Sequence, residues 1–214
     1  MKVSAPSLPD QLEDECDARK ALIKNESLVE VRVQEQDLGK VKVKAASVSR
    51  SKLGKVDLSE AELERFTAKD VVISGCELAG VNFGDSGWRS VSVHGSRCSG
   101  AQIYKSSLKD VVFDECKLDL VNFCYSKLEN VIFRGCLFDD TDFYCAQLKN
   151  VEFDNCTIEK IEVSSAKMKN VDFSSSELGI VKGLSGLKGA TISSLQLISL
   201  APFLAQEMEI IVKD

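Results

Sequence analysis

Residues 108–127 read LKDVVFDECKLDLVNFCYSK, residues 128–147 read LENVIFRGCLFDDTDFYCAQ, and residues 148–167 read LKNVEFDNCTIEKIEVSSAK. Laid over one another, the three lines repeat at two periods. Within each line every fifth residue is apolar, and between lines Leu108, Leu128 and Leu148 align, as do Val111, Val131 and Val151, and Phe113, Phe133 and Phe153. Followed outward in both directions, the five-residue phase runs unbroken from Ile23 to Leu178. In a chain that is 44% apolar, chance would give such a run at a frequency on the order of 10⁻¹¹. A period of five matches neither the 3.6 of an α-helix nor the 2 of a strand, so the chain is built from stacked repeats.

Two positions of each pentapeptide read as inward. The first is the apolar centre. The second lies two residues earlier and alternates Val with small side chains: Val71, Cys76, Val81, Ser86, Val91, Ser96 and onward to Val151 and Cys156. Charge is absent from the central phase and enters the second only at Glu26, so the other three positions must face water. Four pentapeptides make the 20-residue unit. If each forms one side of a square coil, successive coils stack at the spacing of hydrogen-bonded strands, ~4.8 Å, and about eight of them give a rod roughly 38 Å long. Asn130, Asn150 and Asn170 then follow Asp110 in one outward column, where stacked amides can bond along the axis.

Stretches such as Val121-Asn122-Phe123 and Thr141-Asp142-Phe143 present a small residue, a polar residue and a central Phe, followed by two outward residues. In this pattern the chain resembles the pentapeptide-repeat family, over roughly residues 21 to 183. The resemblance implies an all-β fold, a right-handed quadrilateral parallel β-helix. It is weaker before residue 66, where Glu26, Gln36 and Phe66 occupy places at which the family prefers small side chains. Distorted or partly open first coils are expected there.

An uncovered solenoid end exposes backbone that recruits other chains, so caps are expected at both ends. The sequence divides into a lead or cap over 1–20, a β-helix over 21–183 and a C-terminal cap over 184–214. Residues 10–22 have helix-forming composition. Past Leu178 the phase slips through Gly183, Gly186 and Gly189, and then Ser193 or Ser194 is placed to cap a helix carrying Leu197, Leu200, Ala201, Leu204 and Met208 at helical spacing. Pro202 is expected to kink or split that helix. Residues 209–214 read as a short strand. Leu197, Leu200, Phe203, Leu204, Ile210 and Ile211 are the candidate contacts of this tail, either with its own cap or with a second copy. The resemblance implies the second arrangement, because family members with a similar tail dimerise through it.

The search for chemistry returns little. No stretch approaches the ~20 apolar residues of a membrane span, and the first 22 residues lack an apolar run, so a cytosolic protein is expected. Eight cysteines show neither CxxC nor Cys/His ligand spacing and fall largely in the repeat's register, which makes them reduced packing residues with no metal expected. Cys124 and Cys145 are outward, as accessible thiols. The single histidine, His94, is outward with no evident partner, no glycine motif cradles phosphate, and neither catalytic residues nor a cofactor are expected.

Net charge of −6 argues against direct nucleic-acid binding. Its distribution carries the functional expectation. Asp114, Glu115, Asp119, Asp139, Asp140, Glu152, Asp154 and Glu159, with Asp172 and Glu177, fall on the sides centred on Phe113 and Leu118, whereas Arg89, Lys109, Lys127, Lys149, Lys167 and Lys169 fall on the side centred on Leu108. The leading reading is a rigid, non-enzymatic rod that binds an unidentified protein partner. The alternative, which the resemblance supplies, is a DNA mimic whose acidic faces engage DNA gyrase or another type II topoisomerase.

Overall fold

The computed structural model describes residues 3–213. It is a parallel β-solenoid of about nine turns, counting the partial turns at its ends. The register is i to i+20 throughout the body: Leu108 pairs with Leu128 and Leu128 with Leu148, and Phe113 with Phe133 and Phe133 with Phe153. Strands Ser47–Gly54, Thr67–Ser74, Gly87–His94, Ser107–Asp114, Lys127–Arg134 and Gln147–Asp154 each run across two adjoining sides. The other two sides are held in the middle coils by single bridges, such as Arg97 to Lys117 and Gln102 to Asn122. Each side takes the name of its central residue in one coil: the Leu108, Phe113, Leu118 and Phe123 faces.

The five-residue period is a backbone period. Every fifth residue from Glu30 to Asn155 has φ near +50 to +70°, turning the chain at each corner. This left-handed region is costly for β-branched side chains, and none stands at those corners; Gly, Asp, Asn, Lys and Glu do most of the turning. Lys160, Ser175 and Ile180 leave the pattern, the first and last of them on one side of the rod. There the strands Thr157–Glu162 and Glu177–Lys182 pair straight through the corner, which relieves the β-branched Ile180 of a strained conformation.

Between the corners, every central residue from Leu28 to Phe173 is buried. Like side chains stack: the rings of Phe113, Phe133, Phe153 and Phe173 follow one another at centroid distances of 5.1, 5.0 and 4.3 Å. Each such ring contributes roughly 1.5–3 kcal/mol by leaving water. Trp88 replaces the usual aliphatic residue in its column, and its indole N–H is buried without a hydrogen-bond partner.

The second inward position does more than fill space. Ser106 Oγ accepts from Ser86 N at 2.9 Å and donates to Phe83 O at 3.0 Å, and Ser126 repeats this one coil on. Thr141 and Cys156 donate to carbonyls 23 residues earlier in the same manner. Small polar side chains thereby satisfy backbone groups that no strand ladder reaches. In the outward column, Asn170, Asn150 and Asn130 each donate at 3.0 Å to the residue below, ending on the Asp110 carboxylate.

Several expectations about the ends are corrected. The N-terminal helix, α1, spans Ala18–Asn25, later than the stretch 10–22, while Glu13–Asp14 pair with Val31–Arg32 as a strand. Ile23 is consequently on a helix and 59% exposed, outside the coil interior to which the period assigned it. The first coils are regular: Ser47–Gly54 pairs with both Ser27–Val29 and Val31–Gln34. Gln36 is tolerated because its amide is used, accepting from Ala18 N at 2.9 Å and donating to Glu15 O. Glu26 is accommodated as the left-handed C-cap of α1.

At the other end α2 spans Ser194–Glu207 with Ser193 as N-cap in a capping box with Gln196. Pro202 does not split it. The Pro202 ring lies on the exposed side of the helix, where water can serve the carbonyl it frees. Residues 209–213 form no strand, and Asp214 lies outside the described residues.

Candidate functional site

The coil register decides which outward side chains meet. Neighbours 20 residues apart sit side by side, so a cation in one coil neutralises an acid in the next. His94 Nδ1 is 3.3 Å from Asp114 and its Nε2 is 3.9 Å from Glu115, which corrects the expectation that this histidine lacks a partner. Arg134 Nε is 3.2 Å from Asp154, Lys160 Nζ is 2.8 Å from Asp140, and Lys117 Nζ is 3.9 Å from Asp119. Asp119 also accepts from Ser99 Oγ at 2.6 Å. The hydrogen bond from Lys160 holds the Asp140 carboxyl below the usual carboxylate range. Asp139, Glu152 and Glu159 complete the candidate acidic surface; Asp139 and Glu159 are exposed and Glu152 half-buried. The acids do share the Phe113 and Leu118 faces, but several arrive with their own counter-charge.

On the Leu108 face, Lys109 and Lys149 flank Glu129 at 3.7 and 2.7 Å, and the Lys149 hydrogen bond leads in holding its carboxyl below the ordinary range. The Phe123 face carries all three tyrosines of the chain, Tyr104, Tyr125 and Tyr144, the last two in edge contact at 5.6 Å. Cys124 and Cys145 lie among them and are half-buried. Burial, and then the neighbouring Asp142 carboxylate, push the Cys124 thiol up to about 12, so it is a poor nucleophile at neutral pH. The inward cysteines Cys76, Cys116, Cys136 and Cys156 bond to backbone carbonyls. Among the described residues no group of three or more His, Cys, Asp or Glu is arranged to hold a metal ion. Nor is any helix among them long and apolar enough to cross a membrane.

The C-terminal cap divides the candidate tail residues into two sets. Leu200 is buried and Leu204 partly so, both against the end of the rod. Gln196, which the sequence pattern leaves as helix surface, is buried too, and its amide donates to Phe173 O at 2.8 Å and Ser176 O at 2.7 Å, closing carbonyls of the last coil. Leu197, Phe203, Ile210 and Ile211 face outward, joined by Leu195 and Ile198; Leu195 is 78% and Ile211 84% exposed. Ile198, Ala201, Pro202, Ala205, Ile210 and Val212 line an apolar groove of ≈560 Å³ between α2 and the tail. Glu207 fastens the far end of α2, accepting from Leu184 N at 3.1 Å and Ser185 N at 2.9 Å.

A four-cornered parallel solenoid with a side-chain-filled interior and differentiated outer faces defines a β-helical repeat protein. The model for the pentapeptide repeat region matches residues 88–163 and, overlapping, 106–182. The same register continues outside those bounds, and the chain is a pentapeptide-repeat protein. Among solved structures it is similar to HetL, a pentapeptide repeat protein involved in heterocyst differentiation regulation from the cyanobacterium Nostoc sp. strain PCC 7120, with 14% identity, 78% of this chain and 90% of that one covered, and a TM-score of 0.42. It is also similar to full-length QnrB1, a plasmid-mediated fluoroquinolone resistance protein, with 16% identity, 86% and 100% covered, and a TM-score of 0.31. A third similarity is to Rfr23 from the cyanobacterium Cyanothece 51142, with 10% identity, 81% and 96% covered, and a TM-score of 0.20. No curated protein matches the chain. All three structural likenesses are distant, and the fold rests on the coil geometry and the family model.

Proposed function

We propose that this chain is a non-enzymatic cytoplasmic scaffold, a rigid rod that presents flat faces to a protein partner and pairs with a second copy through its C-terminal cap. The observation that carries the reading is the outer surface of that cap. Leu195, Leu197, Ile198, Phe203, Ile210 and Ile211 are all exposed on one short helix and its tail, far more apolar surface than capping the last coil requires. A two-fold pairing covers such a patch with itself. Light scattering on the full chain and on a chain ending at Met208 tests it. A dimer mass that falls to a monomer mass on truncation, with the melting temperature held, is expected. Equal masses would remove the dimer.

A second reading has its own support. Asp114, Glu115, Glu152 and Asp154 share the Phe113 face and Asp119, Asp139 and Asp140 the adjoining Leu118 face, and rows of acids on a rod can imitate the charge of a DNA duplex toward a type II topoisomerase such as gyrase. The pairing of Asp114 with His94 and of Asp154 with Arg134 thins that charge, so the scaffold reading stands first. A pull-down at low and high salt separates them. Salt-sensitive recovery of gyrase, lost when Asp119, Asp139 and Asp140 become Asn, would establish mimicry, and recovery of another protein alone would establish the scaffold.

A further inference from the structure

On the Leu108 face, three consecutive coils place Thr67, Gly87 and Ser107 in one outward column and Lys69, Arg89 and Lys109 in the column beside it. The three small residues leave a hollow of ≈320 Å³, with the cations along one wall. Gly87 makes the depression. Its backbone is ordinary strand, and a Cβ built there would meet nothing within 4 Å, so no steric demand of the fold explains the glycine.

The donors around this hollow are unspent. Among the described residues, Lys69 and Arg89 have no carboxylate partner, and the hydroxyls of Thr67 and Ser107 make no hydrogen bond; Lys109 has Glu129 at 3.7 Å, which Lys149 holds more closely at 2.7 Å. Elsewhere on the rod Lys42, Arg50, Lys55, Arg134 and Lys160 are each paired to an acid in the neighbouring coil, while Lys52, Lys105 and Lys127 form no such pair among the described residues and stand outside the hollow. Asp70 and Asp110, at the corner next to the cations, accept from the neutral donors Ser7 N at 3.1 Å and Asn130 Nδ2 at 3.0 Å, which do not offset their charge, but neither forms an ion pair with the cations; Asp85 stands at the opposite corner. In the next three coils the column of Gly87 holds Lys127, Gln147 and Lys167, long side chains that leave cations without a hollow.

We propose that the hollow over Gly87 binds a phosphomonoester. A single carboxylate offers two oxygens, whereas a phosphomonoester carries about −1.5 to −2 and three acceptor oxygens, enough to engage donors on both walls at once. Arg89, central in its column, can offer a planar pair of N–H groups, Lys69 and Lys109 flank it one coil away on either side at ~4.8 Å spacing, and Thr67 and Ser107 supply hydroxyl donors from the other wall. The group is reached from solvent, so it belongs either to a phosphorylated side chain of another protein or to a small phosphate ester.

Fluorescence anisotropy with a labelled phosphoserine peptide, on the intact chain, tests the site. Saturable binding that weakens with salt is expected, reduced by about tenfold or more in Arg89→Ser and in Gly87→Leu, which fills the hollow where the backbone accepts a side chain. The melting temperatures of both variants should match the unaltered protein. Inorganic phosphate that fully displaces the peptide would assign the site to small phosphates, and peptide binding that resists it would assign the site to phosphorylated protein. Absence of saturable binding, equal binding of the peptide with Glu in place of phosphoserine, or full affinity in Gly87→Leu would each overturn the proposal.

Discussion

The two ends of the rod solve one problem with similar means, yet their outer surfaces differ. At the N-terminal end α1 buries Ala18 and Leu22 and turns Lys20 and Lys24 to water, with Ile23 its lone exposed large apolar residue. At the C-terminal end α2 buries Gln196 and Leu200 and turns Leu195, Leu197, Ile198 and Phe203 to water. Each cap is keyed to the coil by a glutamine: Gln36 serves Ala18 N and Glu15 O, Gln196 serves Phe173 O and Ser176 O. Sealing a coil therefore does not require an apolar exterior, because the N-terminal cap does it with a charged one. The apolar exterior of the C-terminal cap answers some other demand, which is the physical basis for proposing a dimer through that end.

The most damaging way to break this comparison acts on the inner faces. Leu22→Asp and Leu200→Asp each put an unpaired carboxylate into a buried site, and each is expected to destabilise by about 3–5 kcal/mol, read as a fall in melting temperature. A wild-type melt for either would show that its helix is not a cap. Next come the glutamine keys. Gln196→Leu strands two buried carbonyls and should cost about 2–4 kcal/mol, whereas Gln36→Leu, at a half-buried site that water reaches, should cost about 1 kcal/mol in urea unfolding. Equal losses would mean that both ends are equally dry. On the outer faces, Ile23→Lys and Ile198→Lys should each change stability by no more than about 0.5 kcal/mol. Only Ile198→Lys should reduce the mass seen by light scattering, and a reduced mass in Ile23→Lys would move the interface to the wrong end.

The body of the rod was legible because one backbone event, the left-handed corner, recurs every five residues and forces the side-chain pattern into step. Phe133 or Val151 could be assigned inward without any structure. The ends were not legible in this way. Once the corner pattern stops, Ile23 still falls on the fifth place by accident of α1, and nothing in the letters separates it from Leu28. Gln36 and Gln196 look like solvated residues in a list, since their burial depends on an adjacent coil edge that offers backbone groups. The ion pairs fall between these extremes. Aligning the chain at 20 residues already puts Arg134 beside Asp154 and His94 beside Asp114, so the neutralised acids could have been found by reading columns of neighbours instead of totals per side.

The smallest expected effect asks whether charge distinguishes the two halves as apolar surface does. In the N-terminal half the hydrogen bond from Lys55 lowers the Glu35 carboxyl, and in the C-terminal half that from Lys160 lowers Asp140. A carboxyl whose folded pKa is depressed adds stability that is present above its unfolded pKa and lost as the pH falls through the folded one. Both pairs therefore favour the rod at neutral pH and fail on acidification. Because both carboxyls are fully solvated, the effect should appear in the titration long before it appears in a melt. Carbon-detected titration of Lys55→Met and Lys160→Met should return each carboxyl upward toward its ordinary range by a similar amount. A shift confined to Asp140 would mean that the electrostatics, like the exposed apolar surface, is concentrated toward the C-terminal half, and the two ends would then differ in both respects.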